Sequence, residues 1–434
     1  MSSIVTIREY ARLTTNEVPS SLDQATISQS AFNWLLDRNF ELENNGKPIV
    51  QIESRSRLQL KNYVGVVETP CGTVIEILPK HIDEADTTES ARHLLIKMIA
   101  GALNLPTKEY GPTQISTFKA SLHEWVIRQF LDAVNRIVKR GVRREYKRVE
   151  EEEKFLRGQL ISSRQLKQPP HRLHLFHVSY DVFSNDCPEN RLIRSCLDRV
   201  LKVTRVFENM RLARELSFYF HEVPHSTSID LDFRQWIKRR LTAHYAPARP
   251  WCSLILEELN PISVAGKWRG LSLLFPMERL FESYVTSRLK QKLLPRSRLV
   301  AQSTQQYLCE HKEKPLFQLR PDIIISLDDK RWVLDAKWKI LDGGLADSKN
   351  KYGLKQSDFY QLFAYGQRYL DGEGELFLIY PKNNNFVEPL EPFEFSSKLR
   401  LWVCPFDLSE GCLIDDVSNL PLASEHPLQR VRAV

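Results

Sequence analysis

The pattern of apolar and polar positions changes twice along the chain, and it predicts three regions. In residues 1–118, the segments VGVVE and TVIEILPK alternate apolar and polar positions around the turn TPCG, which is typical of a β-hairpin. In residues 119–255, the segment LHEWVIRQFLDAVNRIVKRG repeats apolar residues at helical spacing. In residues 256–434, helical and β-branched segments alternate. We therefore predict a multidomain α+β chain with a β-rich N-terminal domain, a helical middle domain and a C-terminal α/β domain built on a mixed sheet.

Two β-branched segments of the C-terminal region carry charged residues where ionised side chains are normally disfavoured. These segments are DIIIS and RWVLDAKWK, and the polar residues between them predict a hairpin with Leu327–Lys330 as its loop. That loop pairs Ser326 with Arg331. Continuing the same register places Asp322 directly opposite Asp335.

The two opposed carboxylates predict a divalent cation site. Like charges opposite one another destabilise a sheet by up to about 1 kcal/mol unless they are neutralised. We therefore expect Asp322 and Asp335 to bind Mg²⁺, whose other positions go to water and phosphate oxygens. Because side chains alternate between the faces of a strand, Lys337 shares the face of Asp335 and can stabilise charge on a phosphate. The set predicts phosphodiester hydrolysis, and the alternative is a surface hairpin with one charged face.

Two helices that flank this hairpin in sequence supply further candidates. Glu278 and Glu282 lie one turn apart in FPMERLFESYVTSRLKQKLL, so Glu282 can reach a metal or its water if that flank faces the sheet. Gln361 and Tyr365 have the same spacing in DFYQLFAYGQRYL, where an amide and a phenol can orient the lysine and hold a phosphate. The alternative is a pair of surface glutamates in one helix and ordinary polar residues at a core edge in the other.

The composition excludes several classes of protein. The 434 residues are 42% hydrophobic and carry a formal net charge of +7, which is compatible with a polyanionic partner without requiring one. Seven scattered cysteines without a CxxC pair argue against a disulfide framework and a zinc site. The chain has no apolar run of membrane-spanning length and no signal-peptide pattern at its start, so we expect a cytoplasmic location. It also has no phosphate-binding loop motif, so any nucleotide-driven step requires another chain.

The motifs collected along the chain resemble the McrC family, the nuclease subunits of McrBC modification-dependent restriction systems. The segments are VGVVETPCGTVIEILPK, HLLIKMIAGALNLP, RGVRREY, FLRGQL, YDVFSNDCPENRLI, MERLFESYV, RPDIIIS, LDAKWK and DFYQLFAYGQRY. The resemblance implies a PD-(D/E)XK endonuclease core in which Asp322, Asp335 and Lys337 are catalytic and Glu282 is the acid of the first helix. Gln361 and Tyr365 match the Gln-xxx-Tyr element of RecB-like nucleases.

The resemblance also implies partners. It suggests an McrB-type AAA+ GTPase that binds the GTP, recognises DNA carrying 5-methylcytosine and is stimulated by this chain. The N-terminal and helical parts are then expected to bind and stimulate that partner, and the C-terminal domain is expected to form a homodimer that cuts both strands. Two alternatives stay open, namely a non-cleaving adaptor of an AAA+ NTPase with a vestigial nuclease fold, and a DNA-binding scaffold. The intact carboxylates and lysine argue against the adaptor, and the modest positive charge argues against the scaffold.

Overall fold

The computed structural model describes residues 4–43, 48–80, 87–103, 122–237, 240–256, 273–346, 351–415 and 419–423. Two compact units divide the chain: the first combines residues 1–119 and 274–434, and the second comprises residues 120–273. Both units contain helices and strands, which confirms the predicted mixed α+β class. The first unit combines the predicted first domain with residues 274–434 of the predicted third domain, and the predicted boundaries after residues 118 and 255 stay predictions. Residue 118 lies outside the described residues.

The N-terminal part of the first unit is rich in strands, as the alternating segments predicted. Its elements are β1 (Ile4–Arg8), β2 (Arg12–Thr14), β3 (Gln24–Thr26), α1 (Gln29–Glu43), β4 (Val50–Ser54), β5 (Arg57–Leu60), β6 (Tyr63–Glu68), β7 (Val74–Leu78) and α2 (Thr88–Ala102). The predicted hairpin is formed by β6 and β7, and β1 pairs in parallel with β7. A second sheet has the order β3-β2-β5-β4.

The second unit is helical with an added sheet. Its elements are α3 (Leu122–Arg140), β8 (Glu145–Glu153), β9 (Gln159–Leu160), α4 (Ser162–Gln165), a 3₁₀ turn (Pro170–Arg172), β10 (Phe176–Ser184), α5 (Pro188–Val203), α6 (Phe207–Tyr219), α7 (Ile229–Gln235), a 3₁₀ turn (Arg240–Tyr245) and α8 (Arg249–Leu256). The prediction of a helical middle domain missed the sheet β8-β10-β9. The reason is that β8, with the sequence EYKRVEEEE, has charged residues on both faces and lacks the apolar alternation of a half-buried strand.

The C-terminal part of the first unit is built on a mixed sheet. Its elements are β11 (Leu273–Pro276), α9 (Met277–Lys292), β12 (Arg298–Ala301), β13 (Gln306–His311), β14 (Lys314–Leu319), β15 (Ile323–Leu327), β16 (Lys330–Ala336), a 3₁₀ turn (Lys351–Gly353), α10 (Gln356–Tyr369), β17 (Gly374–Pro381), β18 (Phe393–Glu394), β19 (Leu399–Asp407) and β20 (Cys412–Leu413). The strand order is β12-β15-β16-β17-β19-β18, with β20 paired to β19. The central strands β16, β17 and β19 are parallel, whereas β15 is antiparallel to β16.

Helix α10 packs closely on this sheet because a glycine faces it. A Cβ atom at Gly366 would lie 2.7 Å from a methyl carbon of Leu399, so only glycine fits this separation without movement of the neighbour. The apolar face of α10 joins a cluster of buried side chains from β16, β17 and β19, which includes Val333, Leu362 and Leu376. This packing fixes the position of the polar residues on the same helix relative to the end of β16. Within the described part of the chain, no helix is long and apolar enough to cross a membrane.

Helices α2 and α9 meet at a second glycine, and we predict that filling this position destabilises the protein. A Cβ atom at Gly101 would lie 2.5 Å from the ring of Tyr284, which is completely buried and cannot turn away. We expect Gly101→Ala to lower the free energy of unfolding by about 1–3 kcal/mol, as overpacked cores do. Urea unfolding measures this change. The control is Gly344→Ala, whose nearest atom is the Asp342 Oδ1 at 3.3 Å, and equal stability losses in both variants would contradict the prediction.

Candidate active site at the end of the central hairpin

The hairpin β15–β16 brings the two predicted carboxylates together. Ser326 pairs with Arg331, which confirms the predicted register, and the next position beyond the paired residues places Asp322 opposite Asp335. The predicted four-residue loop was wrong, because Leu327 and Lys330 pair with each other.

The turn that closes this hairpin therefore contains two residues, Asp328 and Asp329. Asp328 has a φ of 51°, and a positive φ at the first turn position is what two-residue hairpin turns require. Aspartate tolerates this conformation better than most residues do. The shorter turn leaves the predicted pairing unchanged, since both loops imply the same register.

Asp335 is the most deeply buried member of the site. Its side chain is 1% exposed, and among the described residues neither carboxylate oxygen has a hydrogen bond of acceptable geometry. The Lys337 Nζ lies 2.6 Å from the Asp335 Oδ2, so the contact is an ion pair. Burial raises the pKa of Asp335, and the positive charge of Lys337 opposes that rise. A buried carboxylate with an unsatisfied oxygen is costly unless a further cation or proton occupies the site.

Asp322 faces Asp335 from the residue just before β15. Its Oδ2 accepts a hydrogen bond of 2.9 Å from the Ala336 backbone N–H, which holds the carboxylate against the end of β16. Burial, followed by the negative charges of Asp335 and Glu282, raises the pKa of Asp322 to about 8. In the absence of a further cation, the Asp322 carboxyl therefore holds a proton at neutral pH.

Lys337 is the cation of the site. The residue continues the line of β16, and its backbone N–H donates to the Ile379 carbonyl at 2.8 Å. Burial lowers its pKa, but the charges of Asp335 and Asp322 outweigh this effect and raise the pKa to about 12. Its side chain is 30% exposed, so a protonated amine faces both the carboxylates and the solvent.

Helix α9 contributes a third carboxylate. Burial raises the pKa of Glu282 to about 7, and the charges of Lys337 and Asp335 also act on it, in opposite directions. The side of α9 that carries Glu282 thus faces the end of the sheet, as the sequence analysis required for a role at the site. Glu278, one turn earlier, also raises the pKa of Glu282. Its negative charge likewise raises the pKa of Glu9 in the N-terminal region.

Gln361 and Tyr365 are joined by a hydrogen bond on α10, since Gln361 Nε2 donates to the Tyr365 hydroxyl at 2.6 Å. That hydroxyl in turn donates to the Arg320 carbonyl at 3.0 Å, two residues before Asp322. Burial raises the pKa of Tyr365 to about 12, so the phenol keeps its proton at neutral pH. The pair therefore braces the backbone that carries Asp322, and the predicted contact of these residues with a phosphate stays a prediction.

Asp358 belongs to the same neighbourhood, and the sequence analysis missed it. It lies in the first turn of α10, where its Oδ2 accepts a hydrogen bond of 3.3 Å from the buried Tyr380 hydroxyl. Its negative charge raises the pKa values of Asp335 and Lys337. Helical spacing could have identified Asp358 from the sequence, because this residue precedes Gln361 by three positions and therefore shares its helical face.

We predict a pH-dependent stability that originates at Asp322. Its carboxyl keeps a proton in the folded chain up to about pH 8, whereas the unfolded carboxyl ionises near pH 4. The unfolded state therefore binds fewer protons between these values, and the stability of the metal-free chain falls as pH rises, by up to about 1 kcal/mol per pH unit. Thermal unfolding in EDTA at pH 5 and pH 8 measures the difference. Asp322→Asn should reduce it, the exposed Asp329→Asn should not, and identical profiles for all three proteins would contradict the assignment.

The residues present fit a magnesium ion held by two carboxylates. Among the described residues there is no group of three or more histidine, cysteine, aspartate or glutamate side chains with metal-binding geometry. Mg²⁺ is commonly held by only one or two carboxylates, with water and substrate phosphates as its other ligands. The carboxylate oxygens of Asp335, which lack hydrogen-bond partners within the described part of the chain and lie opposite Asp322, could serve as such metal ligands.

Fold and site together define an α+β protein with a carboxylate–lysine cluster at the end of a mixed sheet. Residues 58–381 match the family described as McrBC 5-methylcytosine restriction system component. This match covers more than half of the 434 residues, so the chain belongs to that family. No curated protein matches the chain.

Two solved structures from Thermococcus gammatolerans resemble the chain. The first is a half-complex from a tetradecameric assembly of McrB AAA+ hexamers with bound McrC, with a TM-score of 0.66, 20% identity, and coverage of 93% of this chain and 95% of that chain. The second is a cryo-EM structure of the McrBC complex, with a TM-score of 0.51, 22% identity, and coverage of 67% and 88%, respectively. At these identities the likeness shows a shared fold.

Proposed function

We propose that the chain is the Mg²⁺-dependent DNA endonuclease subunit of a modification-dependent restriction system, with a PD-(D/E)XK nuclease core. The observation that carries this proposal is the pairing of Asp322 with the buried Asp335, beside the ammonium of Lys337. Membership of the McrBC family supports a role in restriction of DNA containing 5-methylcytosine. A surface hairpin with one charged face would not bury a carboxylate to 1% exposure.

In this proposal each residue has a role in phosphodiester hydrolysis. Asp322 and Asp335 would hold Mg²⁺, which supplies positive charge at the phosphate and acidifies water. Lys337 stabilises the negative charge that builds on the phosphate oxygens. Glu282, whose pKa of about 7 suits a general base at neutral pH, takes the proton of the attacking water. The water oxygen forms the new bond to phosphorus, the bond to the leaving sugar oxygen breaks, and that oxygen takes up a proton from solvent water.

We propose an McrB-type AAA+ GTPase as the partner that drives cleavage and is stimulated by the chain. The similar assembly from Thermococcus gammatolerans contains McrB AAA+ hexamers with bound McrC, which supports this choice. The sequence has no phosphate-binding loop motif of its own, so the GTP would be bound by the partner. Cleavage of both strands would require two copies of the site, for which a homodimer through the nuclease core is the simplest arrangement.

Cleavage of methylated plasmid DNA tests the proposal. With the full chain, its AAA+ partner, GTP and Mg²⁺, we expect strand breaks in plasmid containing 5-methylcytosine. Unmethylated plasmid and reactions with EDTA serve as controls, and both should stay intact. A chain that stimulates GTP hydrolysis but never breaks methylated DNA would overturn the nuclease proposal in favour of the adaptor.

A further inference from the structure

A pocket of about 250 Å³ lies beside the carboxylate–lysine cluster, within the first unit. We call it the Glu9 pocket, and its lining residues are Glu9, Tyr10, Lys80, Trp338, Lys339, Ile340 and Pro381. Three of these come from the N-terminal part of the unit, three follow the end of β16, and Pro381 is the last residue of β17. Neither the family match nor the proposed hydrolysis accounts for this pocket.

Glu9 lines the pocket and has one carboxylate oxygen without a hydrogen-bond partner in the described part of the chain. The residue is 1% exposed, and its Oε1 accepts hydrogen bonds from the Lys80 backbone N–H at 2.9 Å and from Trp338 Nε1 at 2.8 Å. Among the described residues, Oε2 has no hydrogen-bond partner. Leaving a buried oxygen unpaired is unfavourable, so the arrangement indicates a ligand that supplies the missing hydrogen bond.

Aromatic rings form part of the pocket wall. Trp338 is fixed by its hydrogen bond to Glu9 and by packing against Phe281, at a centroid distance of 5.4 Å. Tyr10 is 46% exposed and has a φ of 62°, a conformation that is rare for a large side chain. Such backbone outliers are concentrated at binding and catalytic sites. A planar ligand could stack on rings held in this way.

Two lysines add positive charge at the same place. Lys80 is exposed and lies two residues after the end of β7. The Lys339 ammonium donates one hydrogen bond to the Gly353 carbonyl, and an ammonium group has two further donors. This combination of cations, aromatic rings and a carboxyl group suits a nucleotide. The lysines can contact its phosphate, the aromatic rings can stack on the face of its base, and the Glu9 carboxyl can hydrogen-bond the edge of the base.

The pocket is also next to the reacting centre in the chain. Trp338 and Lys339 directly follow Lys337, so their Cα atoms lie within about 4 and 7 Å of the Lys337 Cα atom. Neighbouring nucleotides of a DNA strand are separated by a rise of about 3.4 Å. A strand whose phosphate lies at Lys337 therefore brings an adjacent nucleotide within reach of the Glu9 pocket.

We propose that the Glu9 pocket binds one unstacked nucleobase of the DNA strand next to the scissile phosphate. The base would stack against Tyr10 and Trp338, its polar edge would hydrogen-bond Glu9 Oε2, and its flanking phosphate would contact Lys80 and Lys339. The volume favours a single base, since pockets for drug-sized ligands start at about 300 Å³. This inference rests on the proposed nuclease function and specifies where its substrate lies.

Photocrosslinking tests the proposal directly. Duplex DNA containing 5-methylcytosine would carry 5-iodouracil at one thymine position at a time, across the region of the cut. The full chain would contain Lys337→Met to prevent cutting, with the AAA+ partner and GTP present. We expect crosslinked peptides that contain Tyr10 or Trp338 at one or two adjacent positions of one strand. Crosslinks that occur only in other peptides would overturn the proposal.

Kinetic comparison of tyrosine variants gives a second, independent test. Tyr10→Ala should raise the KM for DNA about 5- to 100-fold through loss of base stacking while leaving kcat unchanged, and Tyr10→Phe should restore the KM. The matched control is Tyr360→Ala, which removes a tyrosine that is 65% exposed on α10. An unchanged KM in Tyr10→Ala would overturn the proposal. A lower kcat with an unchanged KM would also overturn it, because that result indicates a purely structural role for Tyr10.

The two tests separate this inference from the nuclease proposal. Crosslinking through the Glu9 pocket by a wild-type chain that never cuts DNA would support the pocket and refute the nuclease. Cutting without any crosslink at Tyr10 or Trp338 would refute the pocket and support the nuclease.

Discussion

Replacing Asp335 by asparagine is expected to lower the rate of DNA cleavage by at least about 10²–10³-fold, the range seen when a preorganised electrostatic group is removed from an active site. The asparagine keeps the size of the side chain but loses the charge that would hold Mg²⁺. Asp335→Asn loses the ion pair with Lys337, but that ammonium is 30% exposed and stays near Asp322 and solvent. Asp335 also accepts no hydrogen bond of acceptable geometry from a described residue, so we expect a melting temperature close to that of the wild type.

Single-turnover cleavage of methylated plasmid and thermal unfolding are the two measurements for this variant. The matched control is Asp329→Asn, in the exposed turn at the far end of the same hairpin, which should cut at the wild-type rate. If Asp335→Asn cuts as fast as Asp329→Asn, Asp335 has no role in catalysis. If it fails to cut and also unfolds, the loss of cutting would carry no information about the site.

Lys337→Met is expected to have an effect of similar size on cleavage through a different cause. Methionine keeps much of the apolar stem but removes the cation that lies 2.6 Å from Asp335 Oδ2. The negative charge that builds on the phosphate then loses its stabilising partner, which we expect to cost about 10²–10³-fold in rate. Loss of the cation also removes the group that lowers the pKa values of Asp335 and Asp322, so both carboxyls should hold their protons more tightly.

Single-turnover cleavage at saturating DNA separates this chemical effect from weaker DNA binding. The matched control is Lys330→Met, an exposed lysine at the start of the same strand. A rate for Lys337→Met within a few-fold of the control would contradict the role given to this lysine. Raising the pH should recover part of any loss that is due to protonated carboxyls, but not the part due to the missing cation.

The local geometry of the hairpin could be predicted from the sequence because it depends on short-range rules. A turn signal and the period of two along a strand were enough to place Asp322 opposite Asp335, even though the turn proved two residues shorter. Helical spacing likewise predicted the neighbouring positions of Gln361 and Tyr365, which the structure joins by a hydrogen bond.

Features that depend on distant parts of the chain could not be predicted in this way. The hydrogen bond between Glu9 and Trp338 joins residues 329 positions apart, and no periodic pattern relates them. Sheet β8-β10-β9 was missed for a different reason, since its strand β8 carries charged residues on both faces, one of which, Lys147, pairs with Asp186 at 2.6 Å between Nζ and Oδ2. Patterns based on apolar periodicity do not detect strands of that kind.

The most direct test of the central claim follows DNA cleavage and GTP hydrolysis in one reaction. Wild type and Asp335→Asn would each be mixed with the AAA+ partner, GTP, Mg²⁺ and plasmid containing 5-methylcytosine. We predict that both proteins stimulate GTP hydrolysis equally, whereas only wild type breaks the DNA. Equal cutting by both proteins, or stimulated hydrolysis by a wild type that never cuts, would contradict the assignment of Asp322, Asp335 and Lys337 as the nuclease site.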